Sequence, residues 1–190
     1  TTILITGGAG FIGSNLVFYF QENYPDSLVV VFDCFRSEAT FTNGNLQSFG
    51  HYKNLIDFTG TIICGNINNK NDLSLLNDYK FDYIFHQAAI SDTRVNDQEI
   101  IIKTNVNSFY DLLEIAKNDH AVLVYASSAA TYGSAPSPQT VGKENPGNPY
   151  GYSKYVMDQI ACQYSNENSD MTIVGLRFFN VYGPREYYKA

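Results

Sequence analysis

Tryptophan is absent from the 190 residues, cysteine occurs only three times, and Asp, Glu, Lys and Arg together make up just 16% of the chain. The cysteines, Cys34, Cys64 and Cys162, are odd in number, far apart and without a CxxC pair. That argues against a disulfide framework and a cysteine zinc site, and fits reduced thiols in a cytoplasmic protein. A basic cluster is also lacking: 12 Lys and Arg stand against 19 Asp and Glu, a net charge of −7. Nucleic-acid binders gain affinity by neutralising phosphates, so no nucleic-acid partner is expected. No apolar run approaches the roughly 18 residues of a membrane span, and Thr1 opens no signal-peptide pattern, so no membrane association is expected. His51, His86 and His120 stand apart from any carboxylate or cysteine pattern that would hold a metal.

What is present is apolar and aromatic: 44% and 15% of the residues. Short, continuously apolar runs at 2–6, 28–32, 61–64, 82–86, 121–126 and 172–176 read as strands buried on both faces of a parallel sheet. Helical patterns separate them, near 11–22, 71–78, 97–118 and 150–166. Strands alternating with helices predict an α/β, doubly wound parallel sheet, a Rossmann fold. Two polar, turn-rich stretches, 36–54 and 134–148, read as functional or mobile loops. Residues 1–176 are expected to form the dinucleotide-binding domain and 177–190 to open a substrate-binding region. The run after Leu176 does not read as a natural end, and most of a C-terminal substrate domain is expected to be missing from this chain.

The strongest local signal follows the first strand. In ILITGGAGFIG, Gly7, Gly10 and Gly13 form GxxGxxG, and Gly8, Gly10 and Gly13 also satisfy GxGxxG. Such a turn needs glycine for positive φ and for close backbone approach to a pyrophosphate at the positive end of a helix. Asp33 ends the second strand 20 residues after Gly13, where an acid binds the adenosine ribose and favours NAD. Arg36, three residues on, is placed to meet the 2′-phosphate of NADP instead. The local sequence leaves both cofactors open.

A second constellation lies further along. After the fifth strand comes YASSAATYG (125–133), and later Tyr150-Gly-Tyr-Ser-Lys154. Tyr150 and Lys154 are four apart and share one helix face. An ammonium so placed is expected to lower the phenol's pKa and make it an acid/base near neutrality. Ser128 would hold the substrate oxygen beside Tyr150. Tyr152 competes as the phenol but has no lysine four residues on.

TGGAGFIG, HQAA (86–89), YASSAATYG, YGYSK and RFFNVYGPRE (177–186) resemble the extended short-chain dehydrogenases/reductases that act on nucleotide sugars, across essentially the whole chain. AATYG and Lys189, three residues after PRE, resemble more narrowly the branch that epimerises ADP-heptose at C6″ for lipopolysaccharide core. The resemblance implies a nucleotide-sugar substrate, an isomerase that oxidises and re-reduces its sugar, NADP in preference to NAD, and a homo-oligomer. It implies that Gly7, Gly10, Phe11, Ile12 and Gly13 line the pyrophosphate, with Asp33 and Cys34 at the adenosine ribose and Ile67 at the adenine. Gln87, Ala88 and Ala89 would follow the cofactor, Asn105 would lie beneath it, and Val181 would close on it. Lys154 would bind the nicotinamide ribose, and Ser91 and Asn180 would face the sugar. Tyr150 and Lys189 would be the two acid/bases, one for each face of the substrate. Gly65-Asn66-Ile67 departs from the Gly-Asp-Ile of many relatives and puts a carboxylate contact to adenine in doubt. Ala129, Ala130 and Thr131 stand where a dehydratase carries an acidic pair, which favours an epimerase. The alternatives are another nucleotide-sugar epimerase, such as a UDP-hexose 4-epimerase, a dehydratase, or a redox-inert sensor of dinucleotides, against which the Tyr150–Lys154 pair tells.

Overall fold

A computed structural model of the chain describes residues 1–186. Six parallel strands form one sheet: β1 (Thr2–Thr6), β2 (Leu28–Asp33), β3 (Thr61–Cys64), β4 (Tyr83–His86), β5 (Val122–Ser128) and β6 (Ile173–Phe178). Their order across the sheet is β3-β2-β1-β4-β5-β6. That order reverses direction between β1 and β4, and ligands of such sheets bind in the crevice beyond the strand ends at this switch point.

Alternate residues of the apolar runs go to opposite faces. Leu4, Val30, Ile84 and Leu123 pack into one cluster. It is closed by helices α4 (Ser108–Asp119) and α5 (Pro149–Glu167), which contribute Phe109, Leu112, Met157 and Ile160. Ile3, Ile5, Val29 and Val31 pack under α1 (Phe11–Asn23) through Val17 and Phe18. A strand buried on both sides cannot alternate apolar with polar residues, which is why these runs are continuous.

Burial on both faces does not extend to every strand. β3 is an edge strand whose Ile62 is exposed. On the α1 side, Tyr83, Val174 and Leu176 are exposed, and Phe85, Val122 and Val124 only half-buried. The registers Tyr83↔Val122, Phe85↔Val124 and Val124↔Val174 place these residues on one face, continuous with Ile3 and Ile5; Phe20 of α1 reaches Phe85, at 4.9 Å between ring centroids, and the others are left uncovered.

The helix expected at 97–118 starts as α3 (Gln98–Ile101), then widens to a π-helical stretch over Ile102–Asn107 before α4. The helix expected at 71–78 is one α turn, α2 (Lys70–Leu73), followed by a 3-10 turn. Among the described residues no helix is long and apolar enough to cross a membrane.

Candidate active site

β1 runs directly into the glycine turn. Gly7 has φ +70°, and a Cβ there would lie 2.7 Å from the Ala88 nitrogen. At Gly13 a Cβ would collide with the Gly7 carbonyl oxygen, so α1 begins close against the turn. Asp33 braces the turn from β2. Its Oδ2 accepts from the Ala9 N–H at 2.9 Å and its Oδ1 from the Phe35 N–H at 2.8 Å. Burial pushes this carboxyl above its ordinary pKa, and the two backbone N–H groups pull it back.

A cleft of about 870 Å³ opens over the strand ends. Gly7, Gly10, Phe11, Ile12 and Gly13 line it, with Asp33, Cys34 and Ile67 at one end. Gln87, Ala88, Ala89 and Ser91 follow from β4, and Ser128, Tyr150, Lys154, Asn180 and Val181 lie at the other end. Two expected residues stand back from the lining. Arg36 follows the cleft residue Phe35, with its backbone N–H bonded to the Gly50 carbonyl at 2.6 Å. Asn105 is fully buried in the π-helical stretch. It accepts from the Ile90 N–H at 2.8 Å, and donates to the Ile90 carbonyl and the Ser153 hydroxyl, both at 3.0 Å. It therefore ties the β4 loop to α5 from below. Lys189 lies outside the described residues.

Ser128 ends β5, where its Oγ accepts from the Ala130 N–H at 3.1 Å. That contact occupies a lone pair and leaves the hydroxyl proton free to turn toward Tyr150, with which Ser128 also hydrogen-bonds. Tyr150 is the second residue of α5. The helix is capped by Asn148, whose Oδ1 accepts from the Gly151 N–H at 2.7 Å, and Pro149 occupies its first position. At Gly151 a Cβ would lie 2.5 Å from the Ala130 carbonyl oxygen. Glycine there lets α5 and the serine turn meet.

Lys154 lies one turn on and is 2% exposed. Its Nζ is 6.0 Å from the Tyr150 ring centroid. Burial pushes its pKa down to about 8, with Asp158 opposing. The expected depression of the Tyr150 pKa by Lys154 is not what the site shows. Burial pushes the phenol up, and the hydrogen bond with Ser128 is what draws it back. Both groups are desolvated together, and each loses part of its charged form.

His86, at the end of β4, pairs its Nδ1 with Thr6 Oγ1 at 2.7 Å and stacks on Phe109. Burial holds its pKa near 3, so it is neutral and structural at neutral pH. Among the described residues no group of three His, Cys, Asp or Glu side chains could hold a metal.

The cleft suits a dinucleotide. The Gly7–Gly13 turn is a cradle that side chains would fill. In its wall Gln87 Oε1 and Ser127 Oγ are buried without a protein partner, available to a polar ligand. The sequence reading missed Glu144, Asn148, Gly151, Asp158 and Arg177. Asn148-Pro149 carries a readable signal, a capping residue followed by proline at the first helical position. The buried charges carry none, because their partners are far apart in sequence.

Sheet order, glycine turn and the Ser128–Tyr150–Lys154 cluster together define a Rossmann-type dinucleotide-binding fold with a serine–tyrosine–lysine site. The chain belongs to the NAD dependent epimerase/dehydratase family, whose model matches residues 3–190. It is 36% identical, over 99% of its length, to an ADP-L-glycero-D-manno-heptose-6-epimerase of Brachyspira hyodysenteriae, and spans 57% of that protein. It superposes on the crystal structure of ADP-L-glycero-D-manno-heptose-6-epimerase from Helicobacter pylori with a TM-score of 0.90 and 54% identity, over 99% of this chain and 58% of that one. A UDP-glucose 4-epimerase of Thermotoga maritima gives a TM-score of 0.83 at 27% identity, over 98% of this chain and 58% of that one.

Proposed function

We propose that the intact gene product inverts C6″ of ADP-D-glycero-D-manno-heptose, by transient oxidation to a ketone and re-reduction, in supply of lipopolysaccharide core. The observation that carries this is the Ser128–Tyr150–Lys154 cluster at the end of a dinucleotide cleft, in a chain similar to two heptose epimerases. A carbinol carbon has no acidic proton, so its inversion needs a temporary ketone. Tyr150 takes the C6″ hydroxyl proton while Ser128 holds that oxygen. The hydrogen bond from Ser128 favours the phenolate that results, with the Lys154 Nζ 6.0 Å from the ring centroid. A dinucleotide held in this cleft would supply the oxidation and re-reduction of C6″, with no net redox change. Return to the opposite face needs a second proton donor, and Lys189 is assigned that role. Asn180 and Ser91 are assigned to the sugar.

NADP is the proposed cofactor. The support is the resemblance, with Arg36, next to the cleft residue Phe35, assigned to the ribose 2′ position beside Asp33.

The test is NMR of the intact protein with ADP-D-glycero-D-manno-heptose. Inversion at C6″ without added cofactor supports the reading, including a retained and recycled dinucleotide. No inversion, with turnover of UDP-galactose instead, moves the protein to the 4-epimerases and reduces Lys189 to a loop residue.

A further inference from the structure

Arg177 lies on β6, outside the cleft, with its side chain 15% exposed. Its Nε donates to Asp158 Oδ2 at 2.9 Å, and its Nη2 is 2.6 Å from Glu144 Oε1. The guanidinium carbon sits 4.8 Å from the centroid of the Tyr132 ring. Asp158 uses its other oxygen to accept from the Tyr125 hydroxyl at 2.8 Å, and Glu144 also accepts from the Gly142 N–H at 3.0 Å. Both carboxylate side chains are 10% exposed or less.

Each partner leads to a different part of the reacting cluster. Glu144 precedes the α5 cap Asn148 by four residues, and so anchors the strand of loop that delivers Tyr150. Asp158 is one helical turn beyond Lys154. Tyr132 closes the 3-10 turn that begins after Ser128. One guanidinium thus ties together the three segments that supply serine, tyrosine and lysine. Buried ion pairs of this kind add little net stability over apolar packing, because desolvation offsets their attraction. What they fix is direction, since a guanidinium fork meets two carboxylates only in set geometry.

We infer that Arg177 is a positioning residue, holding Glu144, Asp158 and Tyr132 so that Ser128, Tyr150 and Lys154 converge. The inference rests on these three being the reacting cluster.

The test uses the intact protein with Arg177→Met, Arg177→Lys and Glu144→Gln, assayed on whichever of ADP-heptose or UDP-galactose the wild type turns over. Failure of the sugar assignment is thereby read on the wild type, and failure of the clamp on the variants. Arg177→Met is expected to lower kcat about 100-fold, the cost of a misplacement near 1 Å, with a much smaller loss of cofactor affinity. Arg177→Lys, which can keep one carboxylate, should recover part of the rate. Should Arg177→Met fail to fold, Glu144→Gln leaves the Asp158 pair intact and should still lower kcat without loss of cofactor affinity. Amide exchange provides a readout independent of substrate: the amides of Gly151 and Tyr152 should exchange faster in the variants, those of β1 unchanged. Unchanged kcat in folded variants, equal losses of kcat and cofactor affinity, or unaltered exchange at Gly151 would each overturn the inference.

Discussion

A lysine with 2% of its surface exposed is held against its solvation preference, and Lys154 shows how much. Burial moves its pKa from 10.5 to about 8, which corresponds to about 3 kcal/mol of stability given up. Below pH 8 the lysine is protonated in both folded and unfolded chains, so the full cost applies. Between pH 8 and 10.5 the unfolded chain binds more protons, so the cost is relieved as pH rises. Lys154→Met should therefore raise the melting temperature at pH 7, by a margin that shrinks toward pH 10, while abolishing turnover. A lower melting temperature at pH 7 would show that the lysine is held at no cost. Arg36 answers to a different measurement. Arg36→Ala should weaken NADP more than NAD in a binding titration, whereas equal losses would assign the cofactor to NAD. That Tyr150 and Lys154 meet on one helix face was legible because a spacing of four marks such a face. The upward push on the Tyr150 pKa was not, because burial depends on what packs around the helix.

At the scale of elements, the glycine turn separates packing from binding. Gly13 has no room for a Cβ against Gly7, while a Cβ at Gly10 would approach only the Gly7 oxygen, at 3.2 Å. Gly13→Ala should destabilise the fold by about 1–3 kcal/mol, as overpacking does. Gly10→Ala should melt near the wild type yet bind dinucleotide more weakly, since Gly10 lines the cleft. Paired thermal melts and cofactor titrations distinguish the two, and equal losses of stability would refute the division of labour. The strands at 2–6 and 61–64 are read to the residue, because an apolar run bounded by turn residues has clear ends. The π-helical stretch over 102–107 is invisible in the same reading. Its apolar spacing continues that of a regular helix, and what widens it is tertiary: Asn105 bonding both to Ile90 and to Ser153. Likewise Glu144, Asp158 and Arg177 read as ordinary surface charges until the fold brings them together.

At the scale of the whole molecule, the sheet is covered on one side by α4 and α5, and on the other by α1 over β1, β2 and the Phe85 ring of β4. Parallel sheets are stable with both faces covered. The apolar face of Tyr83, Val122, Val124, Val174 and Leu176 departs from that rule, in a chain that spans 57% of its B. hyodysenteriae relative. Exposed contiguous apolar surface of this kind takes up dyes and neighbours. Residues 1–190 expressed alone should bind a hydrophobic dye and self-associate with rising concentration. Replacing Val174 and Leu176 together by threonine should lessen both effects and leave the melting temperature of residues 1–190 almost unchanged, since each side chain is already 40% exposed or more. In the intact gene product the same pair should cost about 0.6–1.2 kcal/mol per side chain if further chain buries them, the still-exposed share of the value of a fully buried aliphatic group. A melting temperature unmoved in both contexts would mean that this face stays open to solvent. In that case the cleft would have to be completed from the β6 loop side alone, where Asn180 and Val181 line it.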